Sequence, residues 1–121
     1  MLINDMIGRI FIFVDQTYDE ITFTERDGSI WKFYHEQDCC ESVTVEDVCG
    51  DLSDLLHTPL LDAEEVIQEC ENPDEYESCT WTFYKFTTIK GSVTIRWYGS
   101  SNGYYSERVD LIYLNNGAER E

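Results

Sequence analysis

The stretch CTWTFYKFTTIKGSVTIRWY, residues 79–98, decides the fold because large side chains alternate along two runs that a turn signal separates. Tyr84 and Phe86 alternate with Trp81, Phe83 and Lys85, and Val93, Ile95 and Trp97 alternate with Thr94, Arg96 and Tyr98. A period of two is typical of a strand with one buried face, and Lys90-Gly91-Ser92 has turn composition. The stretch therefore predicts an antiparallel hairpin.

Further strands are predicted on both sides of this hairpin. The runs are rich in β-branched and aromatic residues, and they cover residues 8–15, 19–25, 29–35, 41–46 and 104–114. Asp27-Gly28 is a strong hairpin-turn signal between two of them. Residues 60–71 fit neither the helical nor the strand period cleanly, and the antiparallel surroundings favour a strand there.

One short helix is predicted after residue 50. Asp51 or Ser53 can cap its start, and Pro59 ends it after about two turns. The apolar residues Leu52, Leu55 and Leu56 follow the helical spacing. The expected fold class is α+β and mainly β, with a curved antiparallel sheet of about six to eight strands and this one helix.

Length and composition predict a single domain over residues 1–121, with an ordered core at about 7–114 and a frayed tail at 115–121. No apolar run is long enough to span a membrane, and the N-terminus lacks the features of a signal peptide. The five cysteines are an odd number, which favours free thiols in a reducing cytoplasm. Cys70 and Cys79 could nevertheless meet in space.

The charge is strongly segregated. Between Lys32 and Lys85 the chain has no Lys or Arg but fifteen Asp and Glu, which account for −15 of the net charge of −17. These residues either form a solvated face or imitate the phosphates of nucleic acid and occlude a basic protein groove. The partner-binding candidates are Glu46, Asp47, Asp51, Asp54, Asp62, Glu64, Glu65, Glu69, Glu71, Asp74, Glu75 and Glu77. The expected partner is a basic protein surface, not nucleic acid or a membrane.

The aromatic residues of the C-terminal third allow a second hypothesis. Rings interleaved with cations can stack on a base and hold phosphates, so they could form a nucleotide pocket. The candidates are Trp81, Tyr84, Lys85, Arg96, Trp97, Tyr98 and Tyr105. The alternative is that one face is core and the other is solvated. Aromatic residues on both faces also suit a homodimer contact.

A metal-binding enzyme is a third hypothesis, centred on His35, Asp38, Cys39 and Cys40. Zinc needs about four converging ligands, whereas this segment has no CxxC spacing and its cysteines are adjacent. Catalytic motifs such as GxSxG, a glycine-rich phosphate loop or HExxH are absent from the sequence. We therefore expect a non-enzymatic protein without a cofactor.

Three long strings carry a resemblance: YHEQDCCESV (34–43), VCGDLSDLLHTPLLDAEE (48–65) and TWTFYKFTTIKGSVTIRWYGSSNGYYSE (80–107). Over roughly residues 7–112 the chain resembles a family of small acidic proteins of unknown function from bacteriophages and prophages. The resemblance implies expression in the bacterial cytoplasm and brings no catalytic residues. It favours a binder that blocks a host nucleic-acid-handling or defence protein.

Overall fold

The computed structural model describes residues 3–37, 40–70, 78–101 and 106–114. These residues form eight strands, which are β1 (Phe11–Gln16), β2 (Ile21–Glu25), β3 (Ile30–Tyr34), β4 (Ser42–Cys49), β5 (Asp62–Glu69), β6 (Ser78–Thr88), β7 (Gly91–Ser101) and β8 (Asp110–Leu114). Two short 3-10 segments accompany them, η1 (Ile3–Met6) and η2 (Leu52–Leu55). The start of the predicted last strand and the predicted tail lie outside the described residues.

The strands form two antiparallel sheets, so the mainly-β prediction is confirmed but the single curved sheet is wrong. Sheet A has the order β1-β2-β3-β8, and sheet B has the order β4-β7-β6-β5. The alternation along β6 and β7 gives sheet B one strongly apolar face, and β2 and β3 give sheet A another. Two apolar faces bury each other when the sheets stack, which a single sheet could not do.

The core between the sheets is built from aromatic rings. Phe23 of sheet A lies 5.1 Å from Phe86 of sheet B, measured between ring centroids. Phe33 of sheet A lies 4.8 Å from Tyr84 of sheet B. All four side chains are at most 2% exposed. The predicted alternation along the 79–98 hairpin is therefore confirmed, and the face with Tyr84 and Phe86 is the inward one.

The turn after β2 also follows the prediction. Gly28 has a φ of 91°, which a residue with a Cβ adopts only with strain. Its N–H donates to the Glu25 carbonyl at 2.9 Å, and the Glu25 N–H donates to the Ser29 carbonyl at 2.8 Å. The Asp27-Gly28 signal thus places the reversal between β2 and β3 correctly.

The two-turn helix predicted up to Pro59 is wrong, because only the 3-10 segment η2 forms there. Asp51 caps its start by accepting the Ser53 N–H, as predicted. Leu56 is already extended and bridges to Phe11 of sheet A, and His57 takes a left-handed φ of 68°. The pairing of this segment with sheet A therefore overrides its helical period. Neither 3-10 segment in the described part of the chain has the length or apolar character to cross a bilayer.

The cysteine prediction needs a correction as well. Cys70 and Cys79 stand opposite each other at the end of the β5–β6 pair and form a disulfide, with Cα atoms 5.3 Å apart. The expectation of free thiols is therefore wrong for this pair. Cys49 is exposed and has a free thiol. The register of β5 and β6 decides which two cysteines form the disulfide, because each residue of β5 has a fixed partner on β6.

Sheet B meets the segment before β8 at very short range. A Cβ added to Gly99 would lie 2.7 Å from the Glu107 carbonyl oxygen and 2.9 Å from the Glu107 Cβ. The buried Glu107 carboxylate accepts hydrogen bonds from the hydroxyls of Thr80, at 2.7 Å, and Ser101, at 2.5 Å. Glycine is required at position 99 because the Glu107 backbone approaches it, and a backbone cannot move aside as a flexible side chain can.

Gly99→Ala should lower the free energy of unfolding by roughly 1–3 kcal/mol, because the methyl group forces the Glu107 backbone away. Chemical denaturation measures the effect. Ser100→Ala is the matched control, since Ser100 points to the other face of β7, and it should change stability by less than about 0.5 kcal/mol. Equal stability of wild type and Gly99→Ala would show that the two segments are not in tight contact.

Candidate binding surface

The most coherent anionic feature is strand β5, which lies at the edge of sheet B. Asp62, Glu64, Glu65 and Glu69 are all exposed along its eight residues, and Val66 is 55% exposed between them. We call these four carboxylates the acidic strip. By the strand register, Asp62 and Glu64 lie on the outward face of sheet B, and Glu65 and Glu69 lie on the face turned toward the core. Charged residues on an edge strand prevent unwanted pairing with other strands. The same charges leave an elongated anionic surface facing solvent.

The remaining predicted partner-binding residues do not continue this strip. Glu46 and Asp47 lie on β4, the opposite edge of sheet B, and two strands separate that edge from β5 by about 14 Å. Asp51 and Asp54 belong to η2 and its cap. The structure thus distributes the acidic tract around several sides of sheet B. Four further candidates lie outside the described residues: Glu71, Asp74, Glu75 and Glu77.

Several of these carboxylates are already engaged. Asp47 accepts two hydrogen bonds from the Arg96 guanidinium, and these bonds hold the pKa of Asp47 below its usual value. Hydrogen bonds from the Ser53 hydroxyl and N–H likewise lower the pKa of Asp51. Glu65 accepts the Tyr84 hydroxyl at 2.8 Å, and Asp62 accepts the Ala63 N–H at 3.0 Å.

Other carboxylates have no hydrogen bond or ion pair to any residue in the described ranges. These are Glu46, Asp54, Glu64 and Glu69. Two of them, Glu64 and Glu69, belong to the acidic strip. Lys85 stands opposite Glu64 in the strand register but forms no ion pair with it. The strip therefore keeps two carboxylates without an ion pair or hydrogen bond to the described residues, and a partner could bind them.

The predicted nucleotide-binding residues are divided between the two faces of sheet B. Tyr84 and Trp97 are buried in the core, at 2% and 0% exposure. The outward face carries Trp81, Lys85, Arg96 and Tyr98, and Tyr105 lies outside the described residues. Residues on opposite faces of one sheet cannot line one pocket. The prediction of a single pocket from the whole set is therefore wrong.

The outward face nevertheless forms a small aromatic platform. The Trp81 ring lies 4.8 Å from Tyr98, and the Arg96 guanidinium lies 5.2 Å from the Trp81 ring. Arg96 is held there by Asp47 on the neighbouring strand. This cation is consequently engaged by a carboxylate and is not free to bind a phosphate.

His35, the histidine of the metal hypothesis, belongs to a buried ion pair. Its Nε2 lies 2.8 Å from the Glu41 carboxylate and its Nδ1 lies 2.7 Å from the Arg108 carbonyl oxygen. A carbonyl oxygen only accepts, so Nδ1 carries a proton, and Nε2 faces a carboxylate that also favours a proton. Both ring nitrogens are thus occupied, and neither offers a lone pair to a metal.

The other metal candidates are Asp38 and Cys39, which lie outside the described residues, and Cys40, which is exposed. Within the part of the chain that the structure describes, no group of three His, Cys, Asp or Glu side chains is placed to hold a metal ion. The Glu41 partner of His35 was not foreseen. Glu41 is not among the predicted site residues, because nothing in its local sequence distinguishes it from the other carboxylates of the acidic tract.

A comparison with protein families identifies the family of this chain. A family model described as a domain of unknown function, DUF7448, matches residues 4–111. The chain belongs to the DUF7448 family. The match covers both sheets almost completely, so the sandwich is the structure of a DUF7448 domain. No curated protein and no solved structure shows significant similarity to the chain.

The His35–Glu41 pair predicts a pH dependence of stability in this DUF7448 domain. Burial lowers the pKa of His35, but the hydrogen bonds to Glu41 and the Arg108 carbonyl and the charge of Glu41 outweigh it, so the net pKa is raised. Protonated His35 therefore stabilises the fold below the unfolded-state pKa of about 6.5, and this contribution is lost as pH rises through the folded-state pKa.

We expect the free energy of unfolding to fall as pH rises from about 6.5 through the folded-state pKa of His35, and His35→Gln should largely abolish that fall. Urea denaturation at several pH values measures it. His57→Gln removes the other histidine and should keep the pH dependence, since His57 is exposed and outside the pair. A pH dependence that persists unchanged in His35→Gln would contradict the ion pair.

Proposed function

We propose that this protein is a non-enzymatic binding protein that blocks a basic surface of another protein through the acidic strip. The observation that carries the proposal is that Glu64 and Glu69, on an exposed edge strand, form no ion pair or hydrogen bond with the described residues. The net charge of −17 adds a long-range field that attracts cationic surfaces and repels nucleic acid and anionic lipid.

The charge density of the strip bears on the kind of surface it can occupy. Its eight residues extend over about 27 Å, so its four carboxylates average about one charge per 7 Å. Duplex DNA carries one charge per about 1.7 Å of axis. The strip alone is therefore too sparse to imitate a duplex in full, and we propose that it matches a line of Lys and Arg on a protein.

The identity of the target class rests on the resemblance to small acidic bacteriophage proteins. Nucleic-acid-handling and defence proteins of a bacterial host have basic grooves, which suit an anionic edge strand by charge complementarity. In this proposal the protein acts in the bacterial cytoplasm and competes with nucleic acid for such a groove. Catalysis is not required for that action.

Binding to a cationic probe should weaken steeply with salt and should depend on the strip. Decalysine and a bacterial lysate are the probes, with the protein immobilised, at about 50 mM and about 500 mM NaCl. We expect at least a ten-fold loss of decalysine affinity at the higher salt. Proteins captured from the lysate at low salt should be basic and should be released by duplex DNA.

Two double variants locate the surface, since each removes two charges, one pair from the acidic strip and the other pair from β4 and η2. Glu64→Gln with Glu69→Gln should weaken binding several-fold, whereas Glu46→Gln with Asp54→Asn should change it less. Equal losses of affinity in the two double variants would show that binding depends on net charge and not on the acidic strip. Affinity that does not change with salt, or a captured protein that DNA cannot displace, would overturn the proposed function.

The nucleotide hypothesis is the weaker alternative. Of the predicted nucleotide-binding residues, only those on the outward face of sheet B lie close together, around the Trp81–Tyr98 contact. The Arg96 guanidinium is hydrogen-bonded to Asp47, and the surrounding charge is negative. A phosphate would have to displace that carboxylate, so we do not carry this alternative further.

A further inference from the structure

The two sheets are joined along one side and open along the other. On the joined side, residues 56–59 bridge to Ile10 and Phe11, and the Val45 N–H donates to the Tyr18 carbonyl at 2.7 Å. On the other side stand β8 and β5, the outer strands of the two sheets. No strand pairing joins β8 to β5 in the described residues, and η1 lies against β5 on this side.

A cleft of about 680 Å³ occupies this opening. Its base is apolar and includes Phe33, Val109 and Leu111. Glu64 and Glu65 of β5 stand on one side of it and Asp110 of β8 on the other. No Lys or Arg is among the described residues that line it. The volume falls in the range of roughly 300–1,000 Å³ that is usual for ligand sites.

The hydrogen bonds within the cleft leave acceptor oxygens free. The Tyr84 hydroxyl donates to Glu65 Oε2 at 2.8 Å, and the Glu36 N–H donates to Asp110 Oδ2 at 3.1 Å. The second oxygen of each carboxylate has no hydrogen bond from the described residues. Burial, the bond to Glu65 and the nearby carboxylate charges raise the pKa of Tyr84, so its hydroxyl stays neutral.

This combination defines the chemistry of an occupant. Glu65 and Asp110 disfavour an anion in the cleft, and a cationic group adds favourable charge beside them, which a purely apolar group does not. A long aliphatic stem can lie on the apolar base while its cationic end meets the rim. A guanidinium suits the rim better than an ammonium because its planar set of donors can serve carboxylates on two sides at once.

We propose that the cleft between β5 and β8 receives an arginine side chain of the basic partner, held by Glu65 and Asp110. This inference rests on the proposed function and assigns the cleft as the anchor point next to the acidic strip. Arginine is enriched among the few residues that dominate protein interfaces, and buried anchors contribute most of the binding energy. The strip would then orient the partner, and the cleft would hold it.

The first experiment uses N-acetyl-arginine methylamide as the probe and the matching citrulline derivative as the neutral control. Amide resonances of the intact ¹⁵N-labelled protein report binding. The arginine probe should shift residues 63–66 and 109–111 with a dissociation constant on the order of millimolar. The citrulline derivative should produce at most small shifts. Equal shifts from both probes, or shifts confined to other parts of the protein, would overturn the inference.

The second experiment uses variants that keep the internal hydrogen bonds. Glu65→Gln with Asp110→Asn removes two charges from the cleft, yet each amide oxygen can still accept from Tyr84 or Glu36. This variant should bind the arginine probe at least ten-fold more weakly, whereas Glu46→Gln with Asp54→Asn should bind it nearly as the wild type does. The citrulline comparison on the wild type provides the test if the cleft variant fails to fold.

The two proposals fail in different ways. If decalysine still binds through Glu64 and Glu69 while the arginine probe avoids the cleft, the proposed function stands and the cleft inference falls. If the arginine probe occupies the cleft but no basic protein is captured from the lysate, the proposed function falls and the inferred partner falls with it.

Discussion

The contact of Phe23 and Phe33 with Phe86 and Tyr84 is the interaction on which the rest of the structure depends. These rings are inward residues of central strands, so they join the two sheets across the whole core. Burying one such side chain contributes roughly 1.5–3 kcal/mol. Neither sheet could cover its own apolar face, and stacking them determines where both sets of edges lie.

The arrangement of charge follows from that stacking and from the strand order. Strands β4 and β5 are consecutive along the chain, but the β6–β7 hairpin pairs between them. The acidic tract, continuous in sequence, is therefore divided between two edges of sheet B and η2. The same order brings β5 alongside the open side of the sandwich, where it faces β8 across an apolar cleft. The edge that is most acidic is thus also the edge next to the cleft of about 680 Å³.

Three carboxylates do not act as surface charge at all. Glu25 accepts the Trp31 indole N–H at 2.8 Å, Glu41 pairs with His35, and Glu107 accepts two hydroxyls. All three residues are at most 9% exposed. Buried carboxylates of this kind need their partners, because an unpaired charge in the interior is strongly destabilising. The formal net charge therefore exceeds the charge that a partner would meet on the surface.

The sequence by itself determined which side chains share a face on the 79–98 hairpin, where the turn at Gly28 lies and how strongly the middle of the chain is charged. These features are local: side chains alternate along a strand, and a glycine permits a left-handed turn wherever it stands. The strand nature of β5 could be inferred only from its surroundings, and η2 became a single turn because Leu56 pairs with sheet A. Tertiary structure alone decided the two-sheet arrangement, the Asp47–Arg96 and His35–Glu41 pairs and the cleft. Each depends on strand order, and several strand orders would have buried the same apolar faces equally well.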